Sequence, residues 1–168
     1  MAGIFLISHR RKGLPFRTAG AEISTTRNEN REVAMRLEGG CYCGAVRYKA
    51  EGDPSMQAQC HCRECQYITG GAPNIFIAMP AAGFTYIAGQ PQQFTRRDLE
   101  RAITREFCPE CGTHLVNNVP GLRVVVVKVG TLDEPGQFQP QMAIYTCDRQ
   151  KFHAIPEGMP AFAKLPGH

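Results

Sequence analysis

Short apolar stretches alternate with turn residues along the chain from Met35 onward. The strongest stretch, residues 124–129, contains four consecutive valines, which disfavour helix and suit a strand buried on both faces of a sheet. Strands are predicted over residues 45–50, 74–79, 84–87, 93–95, 104–107, 114–116, 124–129 and 142–146. Turn residues at intervals of roughly 8–12 positions are typical of a mostly β domain.

Helix is predicted in only two short pieces, residues 63–68 and 98–102. The end of the chain contains Pro156, Pro160 and Pro166, so it is predicted to lack regular structure. Residues 1–34 show no period of two or of 3.6 and predict a loosely ordered N-terminal extension. The 168 residues therefore divide into this extension and one domain, residues 35–168.

Charge and hydropathy narrow the class of protein. The chain is 43% hydrophobic and 20% charged, which excludes a compositionally disordered protein. Of the net charge of +4, the extension carries +3, from six Lys/Arg against three Asp/Glu. The nearly neutral domain predicts no nucleic-acid partner. No apolar run approaches a membrane span or a signal peptide, so we expect no membrane partner and a cytoplasmic location.

The cysteines are the residues that best indicate a chemical function in this sequence. Seven of the eight cysteines fall into three tight clusters, which are Cys41 with Cys43, Cys60 with Cys62 and Cys65, and Cys108 with Cys111. Clustering at the spacing of metal ligands, with no secretion signal, favours zinc over disulfides.

The third cluster, Cys108-Pro-Glu-Cys111-Gly, has the pattern of a zinc knuckle. A knuckle supplies only two ligands, and a closed tetrahedral site needs two more. Cys41 and Cys43 can supply them, because side chains two positions apart on extended backbone point to the same side. We therefore expect one structural zinc on these four thiolates, tying distant parts of the domain together.

Cys60, Cys62 and Cys65 remain, and three ligands with one free position are typical of a catalytic zinc. Zinc bound by three thiolates carries a formal charge of −1, which makes it a poor Lewis acid toward water. It is better suited to hold a substrate thiolate, so the cluster favours sulfur chemistry over hydrolysis. Cys147, the eighth cysteine, is interpreted as a small buried apolar residue, with a fourth ligand to this site as the alternative.

Other polar residues near the clusters receive more ordinary interpretations. His61 lies between two cysteines, so its side chain is expected to point away from theirs and not to bind metal. His114 is interpreted as a strand residue. A basic run is interpreted as a solvated face, with binding of an anionic ligand as the alternative, and consists of Arg96, Arg97, Arg101 and Arg105.

Four motifs together resemble the glutathione-dependent formaldehyde-activating enzyme family, which includes centromere protein V. They are Gly-Gly-Cys-Tyr-Cys-Gly-Ala-Val-Arg-Tyr from residue 39, Cys-His-Cys-Arg-Glu-Cys from residue 60, Phe-Cys-Pro-Glu-Cys-Gly-Thr-His-Leu from residue 107 and Val-Gly-Thr-Leu-Asp-Glu-Pro from residue 129. The resemblance extends over residues 37–162.

The resemblance implies a β-tent fold, a zinc-stapled domain of small antiparallel sheets with few short helices. It implies two zinc ions, a structural one on Cys41, Cys43, Cys108 and Cys111 and a catalytic one on Cys60, Cys62 and Cys65. The implied activity is that of a carbon–sulfur lyase, joining glutathione and formaldehyde to give S-(hydroxymethyl)glutathione. Two other classes stay open, a non-catalytic zinc module for protein or nucleic-acid binding and a thiol-redox or metal-buffering protein.

Overall fold

The computed structural model describes residues 34–167, a mainly β structure with one short α-helix. The predicted extension, except for Ala34, lies outside the described residues. The strands are β1 Met35–Gly40, β2 Arg47–Gly52, β3 Met56–Cys60, β4 Asn74–Pro80, β5 Phe84–Ala88, β6 Gln92–Phe94, β7 Thr104–Phe107, β8 His114–Asn118, β9 Val124–Lys128 and β10 Met142–Ile144. The helix, α1, spans Arg63–Ile68. Short 3-10 turns connect several of these elements.

The strands form two sheets. A three-stranded antiparallel sheet has the order β1-β2-β5, and a seven-stranded sheet has the order β10-β3-β4-β9-β8-β7-β6. All neighbours in the larger sheet are antiparallel except β10 and β3 at one edge, which run parallel. The mainly β fold is therefore confirmed. The parallel pair differs from the expectation, which was of antiparallel sheets only.

The centre of the larger sheet is buried on both faces. On β4, Ile77 belongs to a core shared with the smaller sheet, whereas its neighbour Phe76 belongs to a second core on the opposite face. Ile77 faces Val127 of β9 in register, and both side chains are fully buried. The valine-rich strand predicted over residues 124–129 thus lies at the centre of the sheet, as its composition indicates.

A close backbone approach positions the end of β1. A Cβ atom at Gly39 would lie 2.3 Å from the carbonyl oxygen of Thr131 and 2.4 Å from the hydroxyl of Tyr48, so only glycine fits there. The Tyr48 hydroxyl is itself 2.7 Å from Thr131 Oγ1 inside the core. This packing fixes the chain two residues before Cys41, the first cysteine of the predicted metal sites.

Three local predictions differ from the structure. The helix predicted over residues 98–102 is wrong, because this exposed segment forms turns, with Asp98 bonded to the nearby Arg96. The strands β1 and β3 were not predicted. β1 ends in two glycines, and β3 buries Gln57 and Gln59 where a strand pattern requires apolar residues. The helix predicted over residues 63–68 is confirmed.

Ile77→Ala should lower the free energy of unfolding by about 2–5 kcal/mol, because it leaves a cavity at a fully buried site. Ile75→Ala, on the same strand with 38% of the residue exposed, is the matched control and should cost about 1 kcal/mol or less. Chemical denaturation of both variants measures the difference. Equal losses would contradict the assignment of Ile77 to the core.

Candidate metal centres

Four cysteine sulfurs converge where two turns meet. Cys41 and Cys43 lie in the turn between β1 and β2, and Cys108 and Cys111 lie in the turn between β7 and β8. Their Sγ atoms all lie within 4.8 Å of one another, and Cys43 Sγ is 3.5 Å from Cys41 Sγ and 3.8 Å from Cys108 Sγ. Cys41 and Cys108 are buried, whereas the other two are exposed. The structure therefore brings together the four residues predicted to share one metal.

Backbone geometry and one hydroxyl hold these two turns. In the knuckle, the Gly112 N–H donates to the Cys108 carbonyl at 2.9 Å, and Gly112 has a φ of +70°. In the other turn, the Val46 N–H donates to Cys41 Sγ at 3.2 Å. Thr113 joins the turns, because its Oγ1 accepts from the Tyr42 N–H at 3.2 Å and donates to Cys111 Sγ at 3.1 Å.

The same Thr113 hydroxyl lowers the pKa of Cys111 to about 6, since it stabilises the thiolate by a hydrogen bond. Thr113 is a site residue that sequence reasoning missed, although it follows the Cys-Gly pair in the third motif. A set of four sulfurs, one already favoured as thiolate, fits a metal ion that takes tetrahedral sulfur ligands, as zinc does.

The second cluster forms within six residues of the chain. Cys60 ends β3, Cys62 is the N-cap of α1, and Cys65 lies in the first turn of that helix. Their three Sγ atoms also lie within 4.8 Å of one another. The Cys65 N–H donates to Cys62 Sγ at 3.4 Å, so the helix start itself orients one of the sulfurs.

Hydrogen bonds among these thiols favour one thiolate. Bonds from Cys60 and then Cys65 lower the pKa of Cys62 to about 3, and the same sharing raises the pKa of Cys60. Cys60 and Cys65 are buried and Cys62 is half-buried. The cluster therefore presents negative charge and soft donor atoms, which again suit zinc.

Within residues 34–167, this cluster contains three ligand residues and no fourth. Cys147 is not part of it. It was interpreted as buried, which is wrong, because it is exposed in a 3-10 turn after β10 with its sulfur 3.9 Å from Asp148 Oδ1.

His61 is fully buried but likewise lies outside the cluster. Its Nδ1 is 3.1 Å from Nδ1 of His153, whose Nε2 lies 2.7 Å from the Gly71 carbonyl. With Nε2 donating to that carbonyl, His153 Nδ1 accepts from His61. The pair connects the second cluster to the chain that follows α1.

A groove is lined by residues of α1 and of the knuckle turn. It consists of two adjoining cavities of about 670 and 430 Å³, which share Ile68 of α1, Gly112 of the knuckle and His114 of β8. His114 is a strand residue, as predicted, and burial, with the nearby Lys128 and Arg105, lowers its pKa. The groove therefore offers a small molecule a site next to Ile68 of the helix that carries Cys65 and next to Gly112, which follows Cys111.

Arg105 lines this groove and is buried, so its assignment to a solvated face is wrong. Its Nη2 donates to Glu64 Oε2 of α1 at 2.5 Å, which joins β7 to the helix that carries the second cluster. Arg96, Arg97 and Arg101 are exposed, as interpreted. The pairing of Arg105 could not be found from sequence, because Glu64 lies 41 residues away.

The fold and the two clusters define a β domain with two groups of cysteines that are arranged to hold metal ions. A family model described as glutathione-dependent formaldehyde-activating enzyme matches residues 36–148, and the chain belongs to this family. Among solved structures, that of a Rhodobacter sphaeroides protein is similar to this chain, with 14% sequence identity and a TM-score of 0.49. The match covers 75% of this chain and 99% of that chain. No curated protein matches. Within the described residues, no helix is long and apolar enough to span a membrane.

Cys108→Ala should remove one equivalent of bound metal and lower Tm by at least about 10 °C, since a structural metal contributes several kcal/mol to folding. Cys147→Ala is the matched control, because this exposed cysteine belongs to neither cluster, and it should change neither quantity. Metal analysis and thermal unfolding measure both. A stable Cys108→Ala protein with unchanged metal content would refute the four-cysteine site.

Proposed function

We propose that this protein is a zinc-dependent carbon–sulfur lyase that acts on the adduct of glutathione with an aldehyde, as an S-(hydroxymethyl)glutathione synthase does with formaldehyde. Membership of the family supports the reaction class. The observation that carries the proposal is the division of seven cysteines into a set of four and a set of three. A set of three leaves one coordination position for a substrate.

We assign a structural zinc to Cys41, Cys43, Cys108 and Cys111, and a catalytic zinc to Cys60, Cys62 and Cys65. The donor sets fit this assignment, because both consist of sulfurs already brought within 4.8 Å of one another. When bound to the three thiolates, zinc would supply an open position that favours the ionised form of a substrate thiol near neutral pH.

The chain's own residues would prepare the two reactants. Cys60, Cys62 and Cys65, at the start of α1, would hold the zinc whose open position takes the substrate sulfur. The sulfur lone pair forms a bond to the aldehyde carbon, the carbonyl π electrons move to oxygen, and that oxygen takes a proton from water. Breakage of the same carbon–sulfur bond in the reverse direction releases thiol and aldehyde, which is the lyase reaction.

The domain of residues 35–168 is proposed as the functional unit, and a reducing compartment such as the cytoplasm as its location. All eight cysteines are free thiols. Reducing conditions preserve such thiols and also keep glutathione in its thiol form.

A thiol-redox or metal-buffering function is the second candidate, and the lowered pKa of Cys62 favours it, because a thiolate is the reactive form of cysteine. The two functions differ in their products. The lyase joins glutathione to formaldehyde without a change of oxidation state, whereas a redox protein forms a disulfide.

Cys62→Ala should lower the rate of exchange between formaldehyde and S-(hydroxymethyl)glutathione at least about a hundredfold, toward the uncatalysed rate, because a ligand of the reacting centre is lost. NMR exchange spectroscopy with ¹³C-formaldehyde measures this rate. Cys62→Ala should keep the fold and one zinc ion per chain. The control Cys147→Ala should keep full activity and two zinc ions per chain.

Unchanged exchange in Cys62→Ala would refute the catalytic role of the cluster. Absence of exchange above background in the zinc-loaded wild type, with a disulfide formed among Cys60, Cys62 and Cys65 on oxidation, would favour the redox function.

A further inference from the structure

Lys128 is a buried lysine without an acidic partner. It ends β9 and is 7% exposed. Its Nζ donates to Asn74 Oδ1 at 2.9 Å, and the Asn117 amide, oriented so that both its polar atoms are bonded, places its oxygen 3.0 Å from the same Nζ. Both partners are neutral, and none of the ion pairs within residues 34–167 includes Lys128. A buried cation without a counter-charge is costly, so its surroundings should contain one.

The strand register places Lys128 on the same face of the larger sheet as the second cluster. Directly opposed residues of an antiparallel pair project to one face, and side chains two positions apart on a strand do so as well. On β4, Asn74 is opposite Cys60. Two positions further along the same strand, Phe76 is opposite Lys128. All four side chains therefore project to one face, on which Cys60, Cys65 and Phe76 belong to one core.

Asn74 connects this lysine to the first cysteine of the cluster. The Cβ atoms of a directly opposed pair lie about 4.5–5.5 Å apart, so the Asn74 side chain lies beside that of Cys60. The same side chain accepts the hydrogen bond from Lys128 Nζ, and all three residues are buried. The electrostatics agree with this placement. Burial lowers the pKa of Lys128 to about 8, and the charge of Cys65 acts to raise it.

The second cluster supplies the counter-charge that Lys128 lacks. Three thiolates carry one more negative charge than a zinc ion neutralises, and a fourth thiolate at the open position would double the excess. Within residues 34–167, the buried lysines and arginines are Arg105 and Lys128. Arg105 is already paired with Glu64. Lys128 is therefore the buried cation that remains to balance the metal centre.

We propose that Lys128 is the fixed counter-charge of the three-cysteine centre, which strengthens metal binding there and allows an anionic fourth ligand to occupy the open position. This inference rests on the proposed function, because it concerns the metal centre of the same reaction. Lys128 is a positioning residue, since it acts through the metal centre and takes no part in the carbon–sulfur bond. A buried charge suits this task, because salt screens it little and the low dielectric strengthens its attraction.

Lys128→Met should weaken zinc binding at the second cluster at least about tenfold and leave the four-cysteine site unchanged, because the lost charge lies near Cys60. Competition with a chromogenic chelator measures both affinities on the full-length protein. Cys62→Ala, which lacks one ligand of the second cluster, supplies the isotherm of the four-cysteine site alone. Lys49→Met, at an exposed lysine of β2, is the matched control and should bind two zinc ions as the wild type does.

Asn74→Asp tests the same charge without removing the lysine. The carboxylate has nearly the shape of the amide, pairs with Lys128 and cancels its charge. Zinc affinity at the second cluster should therefore fall at least about tenfold in this variant too. Because the substitution is nearly isosteric, it decides the question even where Lys128→Met does not fold.

The cobalt(II)-loaded protein tests the open position itself. Its absorption spectrum is followed during titration with 2-mercaptoethanol, which binds as a thiolate and has no carboxylate, and with imidazole, which binds as a neutral ligand. Lys128→Met and Asn74→Asp should bind the thiolate at least about tenfold more weakly than the wild type, and imidazole within about twofold, since only the anion is attracted by the lost charge. A lysine with a purely structural role would affect both ligands alike.

Unchanged zinc affinity at the second cluster of a folded variant would overturn the proposal. Equal weakening of both zinc sites, or equal binding changes for thiolate and imidazole, would overturn it as well. Charge-dependent zinc and thiolate binding, in a wild type that does not exchange formaldehyde with S-(hydroxymethyl)glutathione, would support the counter-charge and refute the lyase function alone. Exchange activity with zinc and thiolate binding independent of Lys128 would refute the counter-charge and leave the lyase function standing.

Discussion

The convergence of four sulfurs from two distant turns is the constraint on which the rest of the structure depends. Cys43 and Cys108 are separated by 65 residues, yet their sulfurs lie 3.8 Å apart. One turn belongs to the smaller sheet and the other to the larger sheet, so this contact fixes the two sheets relative to each other. The knuckle also supplies Gly112 to the groove, so the turn that holds the four sulfurs also lines both cavities.

The second cluster depends less directly on the two sheets and the four sulfurs that join them. Its three cysteines need only the end of β3 and the first turn of α1, which are adjacent in sequence. The larger sheet contributes the charged residues that surround the helix. Glu64 of α1 is paired with Arg105 of β7, and the charge of Lys128, on β9, acts to lower the pKa of Cys65. The charge environment of a local cluster is thus set by strands that arrive much later in the chain.

The two cysteine clusters could be predicted from the sequence because the spacing of metal ligands within each cluster is a short local pattern. Strand β9 could also be predicted from the sequence, since four consecutive valines strongly favour a buried strand. Two of the failures share a cause, which is that the partner that decides burial lies far away in the sequence. Gln57 is buried because its side chain accepts from the Gln139 N–H, and Arg105 is buried because it is paired with Glu64. Neither partner can be identified from local pattern.

The parallel pairing of β10 with β3 has a consequence for the newly made chain. Strand β3 and α1 bring Cys60, Cys62 and Cys65 together within six residues, so this trio can assemble while most of the chain is still unsynthesised. The edge strand that closes beside it, Met142–Ile144, is translated some eighty residues later, and the four-sulfur site waits for residue 111. Contacts of such different sequence separation form at different times. During synthesis, all three sulfurs of the second cluster are therefore present before the strand that pairs with β3, and before the last sulfur of the four-cysteine site.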